Sequence, residues 1–106
     1  MIRIVKDAYI IDMNATDKIP IKLPMVPSSG TYKETEEHTE SGVLRTIEFG
    51  CRLRNRVPGL DKNLAVIIDF ADGRRIFFGT TDLPVHLKTE IESLIKISCK
   101  YKTIGD

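Results

Sequence analysis

Four side chains of this sequence have the chemistry to ligate a metal ion: His38, Cys51, His86 and Cys99. Zinc sites are normally built from ligand pairs that lie roughly two to five residues apart. No two of these four are that close along the chain. We therefore predict no metal site and no cofactor. Because nothing at the start of the chain resembles a secretory signal, we expect the two cysteines to be buried free thiols.

An acidic cluster follows residue 33, and its members are Glu34, Glu36, Glu37 and Glu40. Paired carboxylates perform glycosidase chemistry when they are held about 5–10 Å apart across a cleft. The surrounding segment, TYKETEEHTE, is polar on both faces, so it supplies no cleft wall and no apolar pocket that would raise a carboxyl pKa. We expect a solvated strand whose charges face water or a basic partner.

A basic set lies on two predicted strands and the loop after the first: Arg52, Arg54 and Arg56, with Lys96, Lys100 and Lys102. Sheets that bind nucleic acid normally add exposed aromatic side chains for base stacking. This chain has no tryptophan, its other aromatic residues lie mostly in apolar runs, and its formal net charge is only +1. Nucleic acid is therefore not a predicted partner, and we expect these cations to meet acidic strands or another subunit.

The sequence contains no G-x-S-x-G elbow, no P-loop and no G-x-G-x-x-G turn. We therefore predict that the protein is not an enzyme. The alternative of a small hydrolytic enzyme requires a pocket near Asp69, Asp82 or His86. No apolar run approaches the roughly 20 residues of a membrane-spanning helix, so we expect a cytoplasmic protein with no membrane partner.

The element that must organise these residues is the segment Leu64–Thr80, in which two apolar runs flank Asp72-Gly73. Asp-Gly between such runs is a strong signal for a two-residue hairpin turn. That turn pairs Ile67 with Phe78 and places both on one face with Ile76. The other face is apolar too, which predicts burial on both sides by a small helix or by another copy of the protein.

A second hairpin is predicted from Thr31–Glu40 and the alternating strand that follows, with its turn at Ser41-Gly42. A three-residue loop sets Glu37 against Arg45, whereas a two-residue loop sets Glu37 against Thr46, and both registers stay open. The first strand of this hairpin offers no apolar stripe. We expect its distal half to project from the body or to lie against a partner.

The remaining elements are shorter. Ile19–Leu23 alternates as a strand does, and Pro20 assigns it to a sheet edge because proline cannot donate to the ladder. Ile95–Thr103 predicts a final amphipathic strand with lysines on its solvent face. Leu83–Ser93 fits either a short helix or a strand with a turn. Together these elements predict one all-β domain over residues 1–106: an antiparallel β-sandwich or partly open barrel with a long polar hairpin.

Two segments resemble small proteins that are encoded beside virion genes in prophages of gut bacteria. They are ETEEHTESGVLRTIEFGCRL (Glu34–Leu53) and VIIDFADGRRIFFGTTDLPVHL (Val66–Leu87). The shared pattern is a polar strand, a turn glycine and an alternating strand, followed by a hairpin on Asp72-Gly73. The resemblance covers roughly half of the chain. It implies a non-enzymatic virion- or tail-associated component that acts through subunit contacts and has no catalytic residues.

The predicted function is therefore structural, with the protein itself and other virion proteins as partners, in the cytoplasm or the virion. The candidate contact residues are Ile67, Ile76 and Phe78 on the apolar face, with Glu34, Glu36 and Arg45 on the polar hairpin. The alternative is a binding module that captures a protein by strand addition. Such a module would show one unpaired and regular edge strand.

Overall fold

The computed structural model of the chain describes residues 4–91 and 95–105. In chain order the strands are β1 (Val5–Asp12), β2 (Ile21–Lys22), β3 (Thr31–Thr39), β4 (Gly42–Leu53), β5 (Leu64–Phe70), β6 (Arg75–Phe78), β7 (Lys88–Ile91) and β8 (Ile95–Gly105). They form two four-stranded antiparallel sheets, a first sheet ordered β2-β1-β5-β6 and a second sheet ordered β3-β4-β8-β7. The predicted all-β fold is confirmed, and it is an open sandwich because the sheets do not close into a barrel.

The two sheets face each other across one apolar core. Side chains alternate along a strand, so every second residue of β4 and β8 points at the first sheet. Leu53 and Ile97 of the second sheet are fully buried there, as are Val66 and Ile68 of the first. Full burial of an aliphatic side chain contributes about 1.5–3 kcal/mol. The core therefore holds the sandwich together without a metal or a disulfide among the described residues.

Three of the shorter predictions can be compared directly with the structure. β2 lies at an edge of the first sheet, as Pro20 predicted, and β8 turns its lysines outward and Ile97, Cys99 and Tyr101 inward. The helix alternative for Leu83–Ser93 is wrong over the described part, where Val85 bridges to Leu64 and β7 follows. Residues 92 and 93 lie outside the described residues. No helix long and apolar enough to cross a bilayer occurs in the part of the chain that the structure describes.

The central hairpin closes with a three-residue loop and not with the predicted two-residue turn. The N–H of Gly73 donates to the carbonyl of Phe70 at 3.0 Å, and the N–H of Phe70 donates to the carbonyl of Arg74 at 2.8 Å. Gly73 has a φ of 90°, the left-handed conformation that follows a type I turn in such loops. Asp-Gly suits this loop as well as the shorter one, so the dipeptide alone did not fix the register.

One extra loop residue reverses the faces of β6 relative to the prediction. Phe78 lies opposite Val66 and Ile76 opposite Ile68, so both point into the core and their predicted place on the outer face is wrong. Phe78 is only 6% exposed. Ile67 does lie on the outer face, but it is 8% exposed because Tyr9 and other neighbours of its own chain cover it. Phe77, which lies opposite Ile67 on this face, is 57% exposed. The apolar outer face is therefore covered by the chain itself at Ile67 and open at Phe77.

The polar hairpin also adopts a register that was not predicted. Its two-residue loop is Glu40-Ser41, so Thr39 lies opposite Gly42. Glu37 lies opposite Leu44, and neither of the two predicted partners of Glu37 is formed.

The physical reason for this register lies at the other end of β3. There Tyr32 is opposite Phe49 and packs edge-on against Phe70, with ring centroids 5.1 Å apart. This aromatic contact anchors the strand in the core. The expectation that β3 buries no apolar side chain is therefore wrong at Tyr32.

Candidate protein-interaction site

The second sheet extends beyond the first sheet at the end where β3 and β4 turn. The last core residues in this direction are Ile47 and Tyr101, which lie opposite each other and are buried. Beyond them β3, β4 and β8 continue as residues 35–39, 42–46 and 102–105, and we call this part the overhang. None of its side chains that the structure describes is buried. The overhang is therefore a three-stranded sheet with both faces open.

The overhang carries a chain of polar contacts on the face that continues the core. The guanidinium of Arg45 lies 2.9 Å from Glu34 Oε1 through Nε and 3.3 Å from Glu36 Oε1 through Nη2. The hydroxyl of Tyr32 donates to Glu34 Oε2 at 2.9 Å. The structure thus brings together the three hairpin residues predicted as contacts. Half-exposed pairs of this kind contribute about 0.2–1 kcal/mol each, so they shape the surface more than they stabilise the fold.

β3 is a long strand at the edge of the second sheet. It spans nine residues in an unbroken register with β4, and no other described strand pairs with its outer side. Because the turn closes on the pair Thr39–Gly42, alternation directs the backbone N–H and C=O of Glu34 and Glu36 away from β4. Protein edges are usually protected by proline, bulges, short strands or charged side chains, and of these β3 has only the charged side chains, among them Lys33, Glu34 and Glu36. Its backbone is a ready template for an added strand.

The opposite edge of the second sheet is β7. This short strand pairs only with β8 among the described strands, and its residue Ile91 is 67% exposed. Ile91 lies beside a shallow groove of about 530 Å³, lined on its other side by Val57 and Leu60. Sequence reasoning left this edge unidentified because Lys88–Ile91 is short and half polar. Its only signal was the alternation of charged with uncharged residues.

A basic trough crosses the outer face of the second sheet. Its floor is made of small residues on three strands, Thr31, Gly50 and Ser98, because Gly50 leaves a gap in the middle of β4. The trough measures about 600 Å³, and the lysines that line it are Lys33, Lys88, Lys96 and Lys100. The predicted basic set is thus only partly assembled here.

The other members of that set lie elsewhere or are neutralised. Arg52 lies opposite Lys96, whereas Lys100 is 3.7 Å from Glu48. Lys102 belongs to the overhang, and Arg54 and Arg56 are in the loop after β4. The arginines and lysines therefore do not form one continuous patch.

The predicted metal-ligand and catalytic candidates are separated by the fold. Cys51 and Cys99 are free and buried in the core, as predicted, whereas His38 is exposed on the overhang. His86 lines the basic trough on the outer face of the second sheet. Over residues 4–91 and 95–105, no three His, Cys, Asp or Glu side chains are placed to hold a metal ion.

The two carboxylates named for the enzyme alternative are also apart from His86. Asp69 belongs to the outer face of the first sheet, where it forms a two-pronged ion pair with Arg75. Hydrogen bonding from Arg75 holds the pKa of Asp69 below its usual value. Asp82 is exposed in the loop after β6.

Burial sets the acidity of the two thiols. Desolvation raises the pKa of Cys51 to about 12, with a smaller contribution from the nearby Cys99. Desolvation also raises the pKa of Cys99 to about 11. A thiol of this kind stays protonated at neutral pH, so neither cysteine has the thiolate character of a nucleophile.

Comparison of the chain with protein-family models, with curated proteins and with solved structures finds no match. The class of the protein therefore rests on its own architecture, an antiparallel β-sandwich in which no described strand covers either edge of the second sheet. A fold of this kind serves many functions, and its role must be inferred from its surfaces.

Proposed function

We propose that this chain is a non-enzymatic assembly protein, virion- or tail-associated and phage-like, that works by strand addition at β3. The observation that carries the proposal is the long edge of β3, whose outer side pairs with no other described strand and whose residues 35–39 stand on the overhang. Its partners are other copies of the chain and other virion proteins. This function joins the two roles considered from the sequence, because strand addition is itself a subunit contact.

The edge is favoured over the apolar face as the contact surface. Ile67 is covered within the chain and Phe78 belongs to the core, so neither of these predicted contact residues is available, although Phe77 is exposed on the same face as Ile67. Along β3, by contrast, each backbone group that gains a partner contributes about 0.5–1.5 kcal/mol. Because both faces of the overhang are open, an added strand can also contact side chains above and below the sheet.

The virion setting is supported by the resemblance of Glu34–Leu53 and Val66–Leu87 to proteins encoded beside virion genes. The first of these segments contains most of β3, the turn and all of β4. The segments that carry the resemblance thus include the edge that carries the proposal. The protein would fold in the cytoplasm and act in the assembled particle.

The test is a proline at the centre of the free edge. Glu34→Pro removes an N–H that points away from β4, so the β3–β4 ladder keeps its hydrogen bonds. Glu34→Ala is the matched control, because it loses the same contacts with Arg45 and Tyr32 but keeps the N–H. We expect light scattering after size exclusion to show oligomers for the native chain and for Glu34→Ala, and monomers for Glu34→Pro. A native chain that stays monomeric at high concentration would overturn the proposal.

A further inference from the structure

We infer that the strand added to β3 is β7 of a second copy of this chain, so that copies join head to tail and the second sheet continues from one copy to the next. This inference rests on the proposed function and names its partner. It follows from the direction of the two edges, from their charges and from one favoured register.

The two edges of the second sheet have compatible directions. Its four strands are antiparallel throughout, so β3 and β7 run in opposite directions at opposite edges. A second copy placed beside the first therefore sets its β7 antiparallel to β3 while keeping its inner face on the same side. The joined sheet would have the same alternation across the contact as within each copy.

Charge disfavours the symmetric alternative, in which β3 pairs with β3 of another copy. The edge carries Glu34, Glu36 and Glu37, and Arg45 is the cation that contacts two of them. A two-fold contact centred on Thr35 would set Glu34 of each copy against Glu36 of the other. Like charges directly opposite each other destabilise a strand pair. β7 instead carries charges of both signs, on Lys88 and Glu90.

Alternation along the ladder restricts the possible registers. On β3, the backbone N–H and C=O of Glu34 and Glu36 point away from β4. The hydrogen-bonded pairs alternate in the same way across β4 and β8. On β7, the backbone N–H and C=O of Thr89 and Ile91 therefore point away from β8. Allowed registers therefore differ by two residues. One of them places Glu34 opposite Thr89 of the next copy.

That register matches both charge and apolar surface. Lys33 comes to lie opposite Glu90 of the next copy, and Tyr32 opposite Ile91 of the next copy. Lys33 has no ion pair among the described residues, and Glu90 has only an exposed contact with Lys88 of its own strand, at 3.6 Å. Ile91 is the exposed apolar residue of the other edge. The pairing of Lys33 with Glu90 is of the kind that does not exchange backbone hydrogen bonds, in which side chains come closest.

The two neighbouring registers place less favourable side chains opposite each other. Shifting by two residues in one direction sets Lys33 against Lys88 of the next copy, which is a like-charge pair. Shifting by two in the other direction sets Glu34 against the apolar Ile91 of the next copy. A head-to-tail contact of this kind leaves a free edge at each end of a dimer, so it closes into a ring or continues as a filament.

Charge reversal tests the register. Lys33→Glu sets two carboxylates opposite each other, and Glu90→Lys sets two ammonium groups opposite each other. We expect each change to weaken self-association about tenfold and the double variant to restore it to about the native value. The controls are Lys18→Glu and Glu40→Lys, which change the net charge equally but lie outside the strand pair. We expect both controls to associate like the native chain.

The outcomes separate this inference from the function on which it depends. Restoration in the double variant supports the β3–β7 contact. If Glu34→Pro dissociates the oligomer but the single reversals have no effect, or the double variant fails to recover, the β7 partner is wrong and strand addition at β3 stands. If the native chain is a monomer, both fail. Thermal unfolding of each variant shows that a loss of association is not a loss of fold.

Discussion

Arg45 on β4 lies opposite Glu36 on β3, and the same guanidinium also contacts Glu34, two residues earlier in that strand. One cation thus holds two carboxylates on a face that no second sheet covers. The contact keeps like charges of one strand from repelling each other where apolar packing has ended. It also leaves the backbone edge of Glu34 and Glu36 accessible.

Replacing Arg45 should loosen the overhang while sparing the core. We expect Arg45→Met to lower the free energy of unfolding by about 1 kcal/mol, because two glutamates lose a half-exposed partner. Hydrogen exchange should accelerate in residues 34–46 and stay unchanged in β5. Arg45→Lys is the control, since it keeps the charge without the two-pronged geometry, and we expect an intermediate effect. Equal acceleration in β5 would contradict the local role.

Gly79 is the position where a side chain should be least tolerated. It has a φ of 105°, and a Cβ there would lie 2.9 Å from both Ala65 Cα and the Leu64 carbonyl oxygen. We expect Gly79→Ala to cost more than the about 1–3 kcal/mol of backbone strain alone, because backbone atoms must also move. The measurement is chemical denaturation.

Gly73→Ala is the matched control for Gly79. Gly73 also has a positive φ, of 90°, but a Cβ there would meet nothing within 4 Å. We expect Gly73→Ala to lower the free energy of unfolding only by the backbone strain of a positive φ. If the two alanine variants were equally stable, the close approach of Gly79 to β5 would have no energetic consequence.

The two buried thiols predict a loss of stability at alkaline pH. The pKa of Cys51 is raised from 9.0 to about 12, and that of Cys99 from 9.0 to about 11. Both thiols are therefore protonated in the folded state at pH values where the unfolded chain already ionises. The stability they contribute is complete below pH 9 and is lost as the pH rises from 9 towards 11–12. The slope should be about 1.4 kcal/mol per pH unit for each thiol.

Denaturation at a series of pH values between 8 and 11 measures this slope. A variant with Cys51→Ala and Cys99→Ala is the control, and we expect a flatter profile. Tyr101 will leave a residual slope of the same sign, because desolvation raises its pKa too. A double variant with an unchanged profile would assign the alkaline transition to other groups.

Alternation along single strands predicted much of the fold. Ile97, Cys99 and Tyr101 alternate with lysines, and that pattern correctly predicted the buried side of β8. The edge position expected from Pro20 is confirmed, although the strand is shorter than the predicted Ile19–Leu23 and begins after the proline, at Ile21. These inferences depend on one strand at a time, so the position of a turn does not affect them.

The face of the sheet on which a side chain lies, and the register between two strands, were harder to predict. Both change when a loop is longer or shorter by one residue. Ile76, Phe77 and Phe78 are all apolar, so the sequence does not show which of them faces the core. The third loop residue, Gly73, determines that Ile76 and Phe78 point into the core and that Phe77 points outward. The edge residues Lys33 and Glu90 had no local signal at all, since only the strand order places them at opposite edges of one sheet.

The overhang has a consequence for how the molecule moves. Its three strands are joined by backbone hydrogen bonds but have no opposing layer, so they can separate without admitting water to the interior. We expect this end of the protein to open and re-form many times while the rest stays folded. Such a segment can change its curvature to fit a neighbouring molecule while the contact forms. The free energy of that change does not disturb the packing of the sandwich core.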